Sequence, residues 1–174
     1  AQENNTRAMK LSNISDQLKK VLQRFRLMGQ ANVQISDTII REEFTRELTE
    51  KLVAKLCNAT TTLTIDSILD AEILNHRDVE CLYVINGDGR QISHTIMNPN
   101  IMVEQDENFK PALPGDDYSS KKYFRQAMKN KQEVYISPEY ISKATGNLCK
   151  TIAYAYQCVD KEYYVICIDL LCRF

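Results

Sequence analysis

The sequence contains no long apolar run and no excess of charge of either sign. No stretch approaches the roughly 18 apolar residues of a membrane-spanning helix, and the polar start of the chain does not fit a signal peptide. The 22 basic and 23 acidic residues leave a formal net charge of -1, which creates no field that would attract nucleic acid. We therefore predict no nucleic-acid partner.

Motifs for catalysis are also missing from the sequence. The five glycines are too few for a phosphate-binding loop, and no G-x-S-x-G or H-E-x-x-H motif occurs. The two histidines, His76 and His94, lie at a charged helix end and in a predicted strand, where a solvated or cross-strand role is favoured over that of a catalytic base. The sequence thus predicts a protein without enzymatic activity.

The six cysteines include no closely spaced C-x-x-C pair of the kind that binds zinc or carries redox chemistry. Four of them lie in apolar segments that are typical of strands or of a helix end. We therefore expect buried free thiols, with no metal site and no cofactor. Free thiols also favour a reducing compartment.

The first part of the chain has the apolar spacing of a long helix. Apolar residues recur at steps of three and four from Leu11 to Ile39, in a heptad-like stripe with the polar Asn32 at one of its positions. Such a stripe indicates either a dimer seam or an amphipathic helix that covers its own domain. Apolar residues at steps of four from Phe44 to Leu56 extend the helical region.

A shorter amphipathic helix follows and ends near His76, and the apolar period then changes to that of strands. Glu80–Ile85 and Arg90–Ile96 flank the turn-forming residues Asn86–Gly89, which is the pattern of a β-hairpin. A polar connection of roughly twenty residues comes next, and loops of that length in a compact domain are more often functional than idle.

The remaining segments predict one helix and three strands. The helix begins near Ser119, with Ser119 or Ser120 as its N-cap. Strands are expected at Glu133–Ser137, Leu148–Cys158 and Glu162–Leu170. The order of elements indicates an α+β fold, in which a long N-terminal helical segment precedes an antiparallel sheet of five to six strands with helices on one face.

The second half also carries an ordered set of short motifs. Residues 117–127 read Asp-Tyr-Ser-Ser-Lys-Lys-Tyr-Phe-Arg-Gln-Ala, and they are followed by Tyr-Ile-Ser at 140–142, Thr-Gly at 145–146 and an aspartate at 169. In this order the motifs resemble those of the Cache family of PAS-like extracellular sensor domains. Lys121 departs from the family pattern, because arginine is usual at that position.

The resemblance implies a sensor domain at 79–174, preceded by a helical stalk or dimerisation segment at 1–78. Such a domain is part of a larger bacterial signalling protein, forms a homodimer through its N-terminal helices and relays ligand occupancy to an output domain of the same polypeptide. The chain opens without Met and ends in an apolar segment, as a fragment of a longer protein does. Family membership implies an extracytoplasmic location, whereas unpaired cysteines favour the cytoplasm.

The candidate ligand-binding residues lie in or near these motifs. A buried anion must be paired and hydrogen-bonded, so a pocket for a small carboxylate needs a cation and hydroxyl donors. The residues that supply them are Lys121, Tyr123, Tyr135, Tyr140, Ser142 and Thr145. The resemblance adds Asp169, which holds the ligand amine in amino-acid-binding members, although their usual tryptophan is absent here. An amino acid or a carboxylate is the expected class of ligand, and a lysine in place of arginine leaves its identity open.

Two other functions fit the same sequence. In one, the heptad stripe is the functional part, and the chain is a dimerisation or scaffold module without a ligand. In the other, a PAS-like pocket holds a haem or a flavin, with His94 as the iron ligand. A screen of small ligands separates the scaffold from a metabolite sensor.

Overall fold

The computed structural model describes residues 43–101 and 109–172. From Thr45 onward these residues belong to one compact unit. The heptad stripe between Leu11 and Ile39 lies outside the described residues, and so does the dimer seam assigned to it. The compact unit includes helices that precede residue 78, and the division into a stalk and a sensor domain at that residue stays a prediction.

The described chain contains three helices and six strands. The helices are α1 (residues 43–56), α2 (Thr62–Ile73) and α3 (Lys122–Lys129). The strands are β1 (Val79–Asn86), β2 (Ile96–Met97), β3 (Val134–Ile136), β4 (Tyr140–Ile141), β5 (Leu148–Gln157) and β6 (Tyr163–Leu171). None of the described helices is long and apolar enough to span a bilayer.

The six described strands form one antiparallel sheet in the order β2-β1-β6-β5-β3, with β4 paired to β5. β5 and β6 form the longest ladder, from Cys149 opposite Leu171 to Gln157 opposite Tyr163. β1 pairs with the other edge of β6. The predicted α+β fold with an antiparallel sheet is thereby confirmed.

The described helices lie on both faces of this sheet. Successive residues of a strand point to opposite faces, and in β1 Leu82 packs with α1 and α2 whereas Tyr83 packs with α3. The prediction of helices on one face is wrong for α3, which packs on the face opposite α1 and α2. Its Phe124 packs in the same cluster as Ala153 of β5, a small residue that leaves room for a helix on that face.

α1 covers the sheet through apolar residues spaced four apart. Leu48, Leu52 and Leu56 are buried in the same core as Ile65 and Leu69 of α2. Residues four apart lie on one side of a helix, so one strip of α1 is buried while the other sides face solvent. α1 therefore covers its own domain, whereas the stripe from Leu11 to Ile39, to which the two interpretations apply, lies outside the described residues.

The β1 hairpin differs from its predicted form in the second strand. The turn at Asn86–Gly89 is present. The predicted strand Arg90–Ile96 is reduced to the two residues of β2, which begins at the last of them. The cause lies at Ser93, whose Oγ accepts a hydrogen bond of 2.8 Å from the N–H of Val84, so that a side chain replaces a backbone partner.

α3 begins later than the sequence predicts. Its N-cap is Lys121, which has extended backbone and makes no side-chain capping hydrogen bond. Neither Ser119 nor Ser120 takes that role. The N–H of Ser119 donates instead to Oδ1 of Asp117 at 2.8 Å, which forms a separate turn ahead of the helix.

A buried carboxylate joins α2 to α1. The Glu72 side chain has no exposed surface, and its two oxygens lie 2.5 Å from Nζ of Lys51 and 2.5 Å from Nζ of Lys55. Nε2 of His76 lies 3.3 Å from the same carboxylate. Burial alone raises the pKa of Glu72, but hydrogen bonds from these three partners outweigh burial and lower the pKa to about 2.

The Glu72 cluster predicts a loss of stability in acid. A carboxylate whose pKa is lowered by folding stabilises the fold above its unfolded pKa, and this contribution is lost as pH falls through the folded pKa. Because the pKa falls from 4.5 to about 2, the free energy of unfolding should drop by about 2–3 kcal/mol across that interval. Urea denaturation at pH 7 and pH 3 checks this. The Glu72→Gln variant should lose less stability between the two pH values than the wild type, and equal losses would contradict the expectation.

Five of the described cysteines, Cys57, Cys81, Cys149, Cys158 and Cys167, are free thiols. Cys81, Cys149, Cys158 and Cys167 are buried, and Cys57 is half-buried. Cys158 packs in the core with α1 and α2, whereas Cys81 and Cys167 pack in the core with α3. These residues behave as the small apolar side chains that the sequence predicts.

Candidate ligand-binding site

A cavity of about 740 Å³ opens on the α3 face of the sheet. β1 and β6 form its floor with Cys81 and Asp169, and α3 with its N-cap forms one wall with Lys121 and Tyr123. Another wall comes from residues 137–144 around β4. The volume is that of a pocket for a small ligand, since such pockets measure roughly 300–1,000 Å³.

Asp169 presents a carboxylate at the floor of the cavity. The residue is 5% exposed. Its Oδ1 accepts a hydrogen bond of 2.8 Å from the Thr151 hydroxyl, and its Oδ2 accepts a weak one of 3.4 Å from the Cys81 thiol. Burial raises the pKa of Asp169 to about 6 despite these hydrogen bonds. No lysine, arginine or histidine of the described residues forms an ion pair with it, so the carboxylate can accept a cation from the cavity.

A chain of hydroxyl groups orients this carboxylate. Thr151 donates its proton to Asp169, so the 2.7 Å contact between the hydroxyls of Tyr140 and Thr151 has the phenol as donor. Burial, reinforced by the nearby Asp169, raises the pKa of Tyr140. The phenol therefore stays protonated at ordinary pH and keeps donating.

Three tyrosines form an aromatic wall beside the floor. The hydroxyls of Tyr83 and Tyr123 lie 3.0 Å apart, and the ring of Tyr118 lies 5.4 Å from that of Tyr83 and 6.4 Å from that of Tyr123, centroid to centroid. Burial raises the pKa of all three phenols. The wall therefore offers neutral hydroxyls and apolar ring faces to a ligand.

Three lysines also line the cavity. Lys121 is half-buried at the N-cap of α3, whereas Lys110 and Lys143 are exposed. The N–H of Lys110 donates to the carbonyl of Lys143 at 2.9 Å, which holds the two loops together. Among the described residues, none of the three lysines has a carboxylate within ion-pair distance.

The exposed acidic residues of the cavity lining are already engaged. Asp117 lies 3.6 Å from the Arg90 guanidinium, and Glu139 lies 3.3 Å from Nζ of Lys150. Asp116 accepts a hydrogen bond of 3.0 Å from a backbone N–H. Asp117 and Glu139 are thus paired with cations, and the charged groups of the lining without an ion pair among the described residues are Asp116, Asp169 and the three lysines.

The cavity brings together five of the seven predicted ligand-binding residues, namely Lys121, Tyr123, Tyr140, Ser142 and Asp169. Thr145 does not line it, because its hydroxyl donates at 2.6 Å to Oε1 of the buried Glu80. Tyr135 does not line it either, because it lies on the edge strand β3 opposite Ala153. Thr145 and Tyr135 therefore lie outside this cavity, and the ligand-binding role of all seven residues stays a prediction.

Sequence reasoning missed Thr151, Lys110 and Lys143. In β5, alternate residues point to the same face of the sheet, so Cys149, Thr151 and Ala153 share the cavity face. A hydroxyl side chain at one of these otherwise apolar positions was a usable signal for Thr151. The two lysines belong to loops, and no periodicity shows which loops will approach a cavity.

His94 lies away from the cavity. Its Nδ1 is 2.7 Å from Oδ2 of Asp66 on α2, and it is not among the lining residues. Its position thus gives no support to a haem site. Within residues 43–101 and 109–172, the buried side chains of Glu80, Cys149 and Asp169 form a group that could hold a metal ion.

No protein-family model matches the chain, and no curated protein is similar to it. Solved structures are similar in fold. The sensory domain of the Campylobacter jejuni chemoreceptor Tlp3 with isoleucine bound has a TM-score of 0.61 and 16% identity, over 78% of this chain and 54% of that chain. The ligand-binding domain of the Pseudomonas fluorescens chemoreceptor CtaA, in complex with L-valine, has a TM-score of 0.52 and 17% identity, over 76% and 54%.

The ligand-binding domain of the Pseudomonas aeruginosa chemoreceptor PctC, in complex with GABA, has a TM-score of 0.53 and 14% identity, over 74% of this chain and 56% of that chain. The chain shares its fold with these chemoreceptor sensory domains. The fold implied by the motif resemblance is thus confirmed. The chain spans about half the length of these solved domains.

Proposed function

We infer that the chain is the ligand-sensing domain of a larger bacterial signalling protein and that it binds a small amino acid in the cavity. The observation that carries this proposal is the Asp169 carboxylate, buried at the cavity floor without a cationic partner among the described residues. It fits a ligand ammonium, and the lysines of the lining fit a ligand carboxylate. Isoleucine, L-valine and GABA, which occupy the solved domains of similar fold, all carry these two groups.

The same proposal covers the oligomeric state, the output domain and the cellular location of the protein. The chain forms a homodimer through its N-terminal helices and passes ligand occupancy to an output domain of the same polypeptide. It acts as a sensor without a catalytic step. A ligand that binds one of two conformations more tightly shifts the population toward that conformation, and this shift is the signal. The sensor lies outside the cytoplasmic membrane, and the alternative, a cytoplasmic location, is favoured by the free thiols.

A panel of matched compounds tests the ligand class on the 174-residue chain. The panel contains the amino acids and GABA, together with isovalerate and isobutylamine, which are valine without its amine and without its carboxylate. At a hundred times its dissociation constant a ligand stabilises the fold by about 2.7 kcal/mol, which a thermal-shift assay detects as several degrees. At least one amino acid should raise the melting temperature and both single-charge analogues should not. If no compound of the panel raises the melting temperature, the scaffold function is favoured instead.

Lys121 is expected to contribute to the affinity for the ligand carboxylate. Its half-buried position at the N-cap of α3 makes its ammonium less hydrated than those of the exposed lysines. Lys121→Ala should weaken the amino acid found in the panel by about tenfold, equivalent to about 1.4 kcal/mol. Lys122→Ala is the matched control, because Lys122 is exposed and does not line the cavity. Isothermal titration in which the two variants bind alike would remove Lys121 from the site.

A further inference from the structure

Three side chains of metal-ligand type meet at the inner side of the cavity floor. Glu80 of β1, Cys149 of β5 and Asp169 of β6 each offer one ligand atom, and these atoms lie within 4.8 Å of one another. The strand ladder holds them together, because Asp169 pairs with Cys81, the residue after Glu80, and Cys149 pairs with Leu171. All three are buried, and Glu80 and Cys149 have no exposed surface.

The Glu80 carboxylate is only half satisfied in this position. Its Oε1 accepts hydrogen bonds of 2.6 Å from the Thr145 hydroxyl and 3.0 Å from Nδ2 of Asn147. Its Oε2 is completely buried and has no hydrogen-bond partner in the described structure. A buried polar atom without a partner costs about 1–3 kcal/mol, and more when the group is charged. The Asp169 carboxylate lies beside it. The cluster thus contains two carboxylates and no positively charged group to balance them.

The Cys149 sulfur, the one ligand atom of the cluster that is not an oxygen, decides which cation fits. An ammonium group is bound through oxygen acceptors, and one held in the cavity does not meet Glu80 or Cys149, which do not line it. Calcium and magnesium take six or more oxygen ligands. Zinc binds cysteine sulfur and carboxylate oxygen together in four-coordinate sites. We propose that Glu80, Cys149 and Asp169 bind a zinc ion.

The geometry allows this with small movements. Ligand atoms around a tetrahedral zinc ion lie roughly 3.5 Å apart, so atoms within 4.8 Å of one another need to approach by at most about 1.3 Å. The zinc–sulfur bond replaces the S–H bond of Cys149, and the thiol proton leaves to solvent. An ion enters through the cavity, because Asp169 and Cys81 line its floor. The site goes beyond the proposed sensor function but shares Asp169 with it, so a zinc ion and a ligand ammonium compete for that carboxylate. The test below uses no amino acid, and its failure leaves the sensor function untouched.

The test uses the 174-residue chain, stripped of metal and kept reduced by a phosphine that does not chelate. Cobalt(II), a spectroscopic substitute for zinc, should produce a thiolate-to-cobalt absorption band, and zinc should abolish that band and raise the melting temperature. Cys149→Ala should lose the band. Glu80→Gln, which keeps an Oε1 acceptor for Thr145 and Asn147, should weaken zinc binding by at least about 10- to 100-fold.

Cys167→Ala is the matched control. Cys167 is equally buried on the same strand and sheet face as Asp169 but is not part of the cluster. It should keep the band and the zinc affinity of the wild type. Circular dichroism of the metal-free variants shows whether each is folded. If Cys149→Ala does not fold, the zinc affinity of Glu80→Gln decides whether the cluster binds zinc. The proposal is overturned if the wild type retains no zinc through gel filtration, if the Cys149→Ala or Glu80→Gln variant binds as the wild type does, or if Cys167→Ala loses binding equally.

Discussion

Replacing Asp169 by asparagine is expected to weaken binding of an amino acid by about 100-fold or more. The variant keeps the size of the side chain and an oxygen that can accept the hydrogen bond from Thr151. It loses the negative charge, and no other carboxylate at the cavity floor can replace it, because Glu80 does not line the cavity. Removing one partner of a buried charge pair costs about 2–5 kcal/mol. Isothermal titration with the amino acid selected by the panel measures the loss.

The same substitution should leave the fold intact or stabilise it. Asp169 is a buried carboxylate beside Glu80 without a cation among the described residues, so a neutral amide relieves an unfavourable interaction. The melting temperature of the ligand-free variant should therefore equal or exceed that of the wild type. Glu139→Gln is the control, since Glu139 lines the cavity but is exposed and paired with Lys150. Equal affinities of the Asp169→Asn and Glu139→Gln variants for the amino acid would contradict the proposed role of Asp169.

The largest expected loss of stability from a single methyl group is at Gly89. A Cβ built on this residue lies 2.6 Å from Cα of Ser119 and 2.7 Å from its backbone N, and the φ of Gly89 is +87°. Backbone atoms cannot move aside as a flexible side chain can. The carbonyl of Gly89 also accepts a hydrogen bond of 2.7 Å from the N–H of Tyr118, so the hairpin tip fixes the segment before α3.

Gly89→Ala should therefore lower the free energy of unfolding by about 3 kcal/mol and weaken ligand binding as well, because the displaced segment carries Tyr118 and Lys121. Gly115→Ala separates the clash from the backbone strain. Gly115 has a φ of +99° but no atom within 4 Å of its Cβ, so this variant should lose only about 1–2 kcal/mol. Urea denaturation compares the two, and equal losses would show that the contact with Ser119 is unimportant.

Local sequence signals predicted most of the sheet. The apolar segments that became β5 and β6 are separated by a short charged turn, so their pairing needs no information from the rest of the chain. The start of α3 was missed because Ser119 fits the composition of a cap, while the side chain of Asp117 competes successfully for its N–H. Periodicity also shows that Phe124 is buried without showing which face of the sheet covers it.

The site was predictable to the extent that short motifs carry it. Asp169, Tyr140 and Lys121 were found because they belong to an ordered set of motifs, and the structure places all three around one cavity. Glu80 was missed because a glutamate at the start of an apolar strand is usually a solvated end. Its burial depends on Thr145, far along the chain, whose hydroxyl donates to it. Partners so far apart in sequence leave no local pattern.

Ile168 and Asp169 are consecutive residues of β6 that point to opposite sides of the sheet. Asp169 faces the cavity, whereas Ile168 is packed in the core with α1 and α2. A single peptide unit therefore separates the place where a ligand would bind from the packing that holds the helices. A displacement of the backbone at Asp169 therefore also moves Ile168, which belongs to the same core as Leu48, Leu52 and Leu56 of α1.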